Sequence, residues 1–184
     1  MKVILIGGHS GSGKDTFADF IKNHLPQKRV IIVHFGDPVK WIAQRYFNWD
    51  GDKNTVEGRG LLQYIGTTLM RSYNPDYWAK IIGEFLDALN KRNQYDIALI
   101  PDARWPNEIE TIQNFFPDAT TVRIDRINKD GEQYVNPHFS NDQLKHESEN
   151  SLEYYAFNYI IENTGDLADL EDSAEVLIED LTLG

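Results

Sequence analysis

Val3-Ile4-Leu5-Ile6-Gly7-Gly8-His9-Ser10-Gly11-Ser12-Gly13-Lys14-Asp15-Thr16-Phe17 is the stretch whose reading decides the fold. Its first four residues are an unbroken apolar run, which is the pattern of a strand buried on both faces of a parallel sheet. After the run come glycines, and after those a helical pattern with Phe17, Phe20, Ile21 and Leu25 on one side. Gly8 to Lys14 satisfies G-x-x-x-x-G-K in the strand–loop–helix setting that gives this motif its meaning. Glycines let backbone N–H groups of Gly11, Ser12 and Gly13 curl around phosphate oxygens, the helix N-terminus adds a favourable dipole, and Lys14 reaches the terminal phosphates. A glycine-rich turn with no ligand is the competing reading, and it has no need of a lysine at that step. The residue after the lysine is Asp15, where a Mg²⁺-binding hydroxyl is usual, and Thr16 follows. A carboxylate there can hold Mg²⁺ directly or through water.

Outward from this loop, strands and helices alternate. Helices are expected at Lys14 to His24, Val39 to Phe47, Leu61 to Arg71 and Asp76 to Arg92. Strands are expected at Val30 to Phe35, Ile97 to Ile100, Thr120 to Ile124 and Phe157 to Ile161. A last helix carries Leu167, Leu170, Ala174, Leu177, Ile178 and Leu181. The clearest amphipathic helix is the one with Tyr77, Trp78, Ile81, Ile82, Phe85, Leu86 and Leu89 on its apolar side. This order predicts an α/β fold of three layers, a five-stranded parallel sheet with helices on both faces. Residues 1–184 read as one domain. The polar stretch from Asn128 to Asn150 lacks periodicity, and a loop of that length suits a lid, placed at about 126–150.

Ligands of such sheets bind beyond the C-terminal ends of the strands, and those ends carry chemistry. The third strand leads into Pro101-Asp102-Ala103-Arg104 and then Glu108. Asp102 suits a Mg²⁺ carboxylate, or else an N-cap for the next helix. Arg104 suits a phosphate, or a surface pair with Glu108 one turn on. Lys40, after the second strand, can meet an acceptor phosphate. Arg59 and Gln63 share a helix face and suit a phosphate and a base edge. Arg71 reads as an ordinary cation at a helix C-terminus. Trp78 belongs to the core stripe, with one face able to stack on a base. Arg126 follows the fourth strand, where an arginine can neutralise charge on a phosphoryl group in transfer. Asn163 or Asp166 is placed to cap the last helix.

Composition narrows the ligand. The chain has a net charge of −11, 41% hydrophobic residues and no cysteine. Such a surface repels nucleic-acid backbones, and the absence of thiols removes disulfides and thiolate metal sites. The apolar start, Val3 to Ile6, is too short for a signal peptide or a membrane span, so the expected location is the cytoplasm. The expected partners are small nucleotides, with no nucleic-acid polymer and no membrane; a homodimer is allowed.

With these residues in place the sequence resembles the phage-type deoxynucleoside monophosphate kinases, within the nucleoside monophosphate kinase group of P-loop proteins. The resemblance rests on Gly8 to Thr16 with Ala18-Asp19-Phe20, on Pro38-Val39-Lys40, and on Arg59-x-x-Leu62-Gln63-x-x-Gly66-Thr67. It continues in Tyr77-Trp78, Pro101-Asp102-x-Arg104 with Glu108, His146-x-x-Glu149, and Ile161-x-Asn163-x-Gly165-x-Leu167. It implies a P-loop NTPase fold and transfer of the ATP γ-phosphate to a deoxynucleoside monophosphate, with Mg²⁺. Gly11, Ser12, Gly13, Lys14, Asp15 and Thr16 would bind ATP. Lys40, Arg59, Gln63, Trp78, Asp102, Arg104 and Glu108 would form the acceptor pocket. Lys14, Arg104 and Arg126 would be catalytic, and Asp15 and Asp102 would position the metal. Animal-type phosphomevalonate kinases share the Gly-Lys-Asp loop, the strand-end Asp-x-Arg and the closing Ile-Glu-Asn strand, and are the alternative for the acceptor. A nucleotide-binding protein without transfer activity is the alternative from another class, and intact Lys14, Asp102, Arg104 and Arg126 argue against it.

Overall fold

Lys2–Gly7 forms β1, at the centre of the sheet. The computed structural model describes residues 1–53, 55–128, 130–135 and 150–183. Along the chain follow α1 (Lys14–Asn23), β2 (Val30–Ile32), α2 (Asp37–Phe47) and α3 (Val56–Gln63). A π-helical segment, Tyr64–Arg71, continues α3. After it come α4 (Tyr77–Lys91), β3 (Ile97–Ala103), α5 (Pro106–Phe115), β4 (Thr120–Arg126), β5 (Tyr159–Asn163) and α6 (Leu167–Leu183). The five strands are parallel in the order β2-β3-β1-β4-β5, as the alternating pattern predicts.

Strand period two explains the layering. Val3 and Leu5 of β1, with Ala98 and Ile100 of β3, face Leu86 of α4 and Ile109 and Ile112 of α5. Ile4 and Ile6, with Leu99, Val122 and Ile124, face Phe17 and Ile21 of α1 and Leu170 and Leu177 of α6. A third cluster of Val39, Ala43, Ile65 and Trp78 ties α2 and the π-helical segment to α4. It forms the floor of the region beyond the strand ends.

Several expected boundaries move, each for a visible reason. β2 stops at Ile32, short of Phe35, because the N–H groups of Phe35 and Gly36 donate to the Asp102 carboxylate (2.9 and 3.0 Å) and leave the ladder. As an edge strand it is half-buried, where a fully buried one was expected. β5 begins at Tyr159, because Asn158 exchanges hydrogen bonds with Thr121 (2.8 and 3.0 Å). β3 and β4 each run further than predicted, to Ala103 and Arg126. Phe85 and Leu167 are 45% and 63% exposed and do not share in the core assigned to their helices.

The irregular segment after β4 starts in an ordered way. An Ile127–Gln133 bridge and the Tyr134 N–H donating to the Arg126 carbonyl (2.8 Å) fold it back as a tight hairpin. The lid expected at 126–150 otherwise falls on 136–149, outside the described residues, as do His146 and Glu149. Among the described residues no helix is long and apolar enough to cross a membrane.

Gly83 sets the distance between α4 and α5, since a Cβ there would lie 2.4 Å from the Phe115 ring. In an open helix Gly→Ala stabilises by about 1 kcal/mol. Gly83→Ala should instead destabilise by about 1–3 kcal/mol through overpacking, read from urea unfolding. A more stable variant would contradict this packing.

Candidate active site

The loop after β1 takes the backbone path that its glycines permit. Gly8 (φ +133°) and Gly13 (φ +100°) lie in the left-handed half of backbone space. A Cβ on Gly8 would sit 2.3 Å from the Ile124 carbonyl oxygen, so the loop passes directly over β4. Lys14 opens α1 and is 7% exposed. Its Nζ donates to the carbonyls of Gly8 (2.8 Å) and His9 (2.7 Å). Asp15 and Thr16 stand in the first turn of α1.

Asp15 has a partner that sequence reasoning missed. His34 Nε2 lies 2.9 Å from its carboxylate, and His34 Nδ1 lies 3.3 Å from Asp37. The hydrogen bond from His34 holds the Asp15 carboxyl below its ordinary range, and the same bond raises His34. Nothing in the spacing of a single histidine after β2 announces this bridge between the loop and α2.

Beyond β2 and β3 lies a cavity of about 340 Å³. Lys40, Arg59, Gln63, Trp78, Asp102, Arg104 and Glu108, the seven residues named for the acceptor side, all line it. So does Arg71, whose place at a helix C-terminus reads in the sequence as that of an ordinary cation. Four cations (Lys40, Arg59, Arg71, Arg104) face two acids (Asp102, Glu108) there, on a chain whose net charge is −11. The wall therefore favours an anion. Arg104 also lines a small cavity of about 20 Å³ together with Gly8 and His9, so the large cavity adjoins the phosphate loop.

The π-helical segment accounts for Arg71. Residues four apart overshoot one turn of an α-helix of about 3.6 residues per turn and drift steadily around it. The wider i→i+5 winding makes them fall short instead, so the drift reverses after Gln63. Arg59, Gln63, Thr67 and Arg71 thus stay on one face and all reach the cavity. Ser72 N–H donates to Thr67 O at that wider spacing (3.1 Å), and Trp78 Nε1 donates laterally to Gly66 O (2.9 Å). Trp78 is 3% exposed, and with its N–H engaged it offers the cavity only apolar surface.

Arg71 and Glu108 form a buried pair. Arg71 Nη1 donates to Glu108 Oε1 at 2.6 Å, and the guanidinium stacks on Trp105 at 4.5 Å. Glu108 Oε2 accepts the N–H groups of Arg104 (2.8 Å) and Trp105 (3.1 Å). Both oxygens of Glu108 are thus occupied by the protein, and the carboxylate holds the Arg104 backbone at the cavity wall. Ser151 Oγ grips the carbonyl of the same residue. Burial pushes the Glu108 carboxyl up to about 7, against the pull of the Arg104 amide and Arg71.

The two acids named for a metal differ in fitness. Asp15 is exposed at the loop, beside Lys14, and fits a hydrated cation. Asp102 is half-buried, and both its oxygens accept backbone N–H groups, from Phe35 and Gly36. Burial raises its pKa above the ordinary value. Its remaining lone pairs suit a water on the metal better than direct coordination. It does not cap α5, whose N-cap is Trp105.

The ends of β4 and β5 also reach the loop. Arg126 Nη1 donates to the Gly11 carbonyl (3.0 Å), and its guanidinium stacks on Tyr134 (4.1 Å). Asn163 does not cap α6: its Nδ2 donates to the Ser12 carbonyl (2.8 Å), while Asp166 Oδ1 accepts the Ala168 N–H (2.9 Å) in the capping role.

Fold and loop together are those of P-loop proteins, and the solved structures that superpose on the chain include kinases. A sugar kinase from Janibacter sp. HTCC2649 superposes with a TM-score of 0.56 at 15% identity, over 97% of this chain and 95% of that one. A putative kinase from Chloroflexus aurantiacus gives 0.56 at 12% identity, over 100% and 97%. Shikimate kinase from Aquifex aeolicus gives 0.50 at 16%, over 100% and 99%. No curated protein sequence matches the chain. The deoxynucleotide monophosphate kinase family model matches residues 39–174, and the chain belongs to that family. The match begins after the phosphate loop, so loop and family are separate indications of phosphoryl transfer.

Removing one partner of a buried pair leaves an uncompensated charge. Arg71→Ala should cost about 3–5 kcal/mol in urea unfolding at pH 8, and Arg71→Lys should recover only part. The sign with pH follows from the raised Glu108 pKa. The unfolded carboxyl ionises near its ordinary 4.5 and the folded one near 7. Stability is therefore full below 4.5, declines as pH rises through 7, and then levels off. Without Arg71 the decline continues to higher pH, so the deficit should be larger at pH 8 than at pH 6. A deficit under about 1 kcal/mol at pH 8, the range of exposed pairs, would contradict the buried pair.

Proposed function

We propose that this protein transfers the γ-phosphate of ATP to a deoxynucleoside monophosphate, giving ADP and the deoxynucleoside diphosphate. The observation that carries this reading is the convergence of Lys40, Arg59, Gln63 and Arg104 on one 340 Å³ cavity next to the phosphate loop. In that arrangement an acceptor phosphate meets cations, and the Gln63 amide is free in type to pair with a base edge. Trp105 and Trp78 supply apolar walls for a base, which a nucleotide uses better than a small aliphatic phosphate does.

The donor triphosphate lies along Gly11 to Thr16, with Lys14 turning from the Gly8 and His9 carbonyls to phosphate oxygens. An acceptor phosphate oxygen attacks the γ-phosphorus in line, and the bond to the β–γ bridging oxygen breaks as ADP departs. Lys14, Arg104 and Arg126 stabilise the charge spread over the transferring oxygens. Such transfer is positioning and electrostatics more than covalent chemistry. Mg²⁺, when bound, neutralises phosphate charge, and Asp15, with Asp102 acting through water, would hold it.

Lys14→Ala should lower kcat for ADP formation by roughly 10²–10³-fold, the scale of losing one preorganised charge-stabilising group. Near-normal turnover would contradict the donor site. Arg126→Ala should lower kcat far more than it raises KM, by about 10³-fold if it meets the transferring group as a full arginine finger. Arg126→Lys should restore only part, since an ammonium lacks the forked contact. A pure KM effect in Arg126→Ala would confine this residue to ground-state binding.

A further inference from the structure

Asn163 is buried at 6% exposure, at the last position of β5. Arg126 is its register partner on β4. Side chains of parallel register partners leave the same face of a sheet, and these two grip consecutive carbonyls of the phosphate loop. Arg126 takes Gly11 O at 3.0 Å and Asn163 Nδ2 takes Ser12 O at 2.8 Å. The other end of the Asn163 amide is engaged too, its Oδ1 accepting the Gly165 N–H at 2.9 Å. Its orientation is thereby fixed, since both groups of the amide have a partner of the right kind.

In a trans peptide the C=O and the following N–H point in opposite directions. Pulling the Ser12 carbonyl inward, onto a buried amide, therefore turns the Gly13 N–H outward, toward the ligand side of the loop. Close packing reinforces this: a Cβ on Gly13 would lie 2.7 Å from Asn163 Nδ2. Gly13 is needed for that approach as well as for its φ of +100°. We propose that Asn163 is a positioning residue for the donor site, which sets the direction of the Gly13 amide by holding the Ser12 carbonyl. The inference rests on the donor reading given above and extends it to a residue that does not touch the nucleotide's phosphates.

Asn163→Asp separates the two halves of the contact. It has the same shape and keeps the oxygen that accepts from Gly165, but it sets a carboxylate oxygen against the Ser12 carbonyl. Binding of MgADP, measured by calorimetry, should weaken about tenfold or more in this variant, the scale of one lost hydrogen bond to a charged ligand. The KM for the acceptor should stay within about twofold of wild type, because the acceptor cavity is walled by other elements. Asp166→Ala is the control: it removes the α6 cap and should lower the melting temperature without changing MgADP affinity. If Asn163→Asp does not fold, Asn163→Ser removes the reach to Ser12 without adding charge and should show the same selective loss. Wild-type MgADP affinity in a folded Asn163→Asp or Asn163→Ser would overturn the role of Asn163, as would equal losses in donor and acceptor binding. A wild-type chain that binds no MgADP would overturn the donor site itself, which distinguishes the two failures.

Discussion

Four carbonyls of the phosphate loop are each taken by a side chain of the protein. Lys14 donates to Gly8 and His9, Arg126 to Gly11 and Asn163 to Ser12. In the proposed donor site a loop that binds phosphate through N–H groups turns its carbonyls elsewhere, and the buried one of the four contacts, at Ser12, is met by a buried donor. That single requirement links distant parts of the molecule. β1 must end where Gly8 can slide over the Ile124 carbonyl, and β4 and β5 must pair in the register that sets Arg126 beside Asn163. The helices on either face hold the sheet to that register through the two core clusters.

The acceptor side obeys a parallel logic, with carboxylates in place of carbonyls. Asp102 gathers the Phe35 and Gly36 amides and so bends the chain from β2 into α2. Glu108 gathers the Arg104 and Trp105 amides and anchors Arg71. Each acid fixes backbone that carries a cation toward the cavity, Lys40 in the first case and Arg104 in the second. Buried charge is expensive unless it is paired and hydrogen-bonded: Glu108 is both, whereas Asp102 is held by backbone N–H groups, and burial raises both carboxyls above their ordinary values. In the proposed reaction they would act on the acceptor through the groups they orient.

The strand-and-helix order and the phosphate loop were legible in the sequence because both depend on short-range patterns. Val3 to Ile6 can only be a buried strand before those glycines, and Lys14 has its meaning from spacing. The gathering of Lys40, Arg59, Gln63 and Arg104 was legible from a family resemblance, and from strand ends in part. Arg71 was not, because a helix-end arginine looks ordinary until a π-helical winding turns it toward Glu108. His34 was silent and Asn163 read as a helix cap, because each acts through a contact made by the tertiary pairing of strands far apart in sequence. Boundaries shifted where side chains competed for backbone groups, as Asp102 does at β2 and Asn158 at β5.

Membership of the deoxynucleotide monophosphate kinase family and the P-loop support phosphoryl transfer, and the reaction proposed for the protein is direct transfer between two nucleotides. Phosphorus NMR of the protein with ATP, Mg²⁺ and each deoxynucleoside monophosphate in turn tests this most directly. The account predicts that, for at least one acceptor, monophosphate and ATP signals fall together while two diphosphates grow in equal amounts. Inorganic phosphate growing in step with ADP, or ATP left intact with every acceptor, would contradict it.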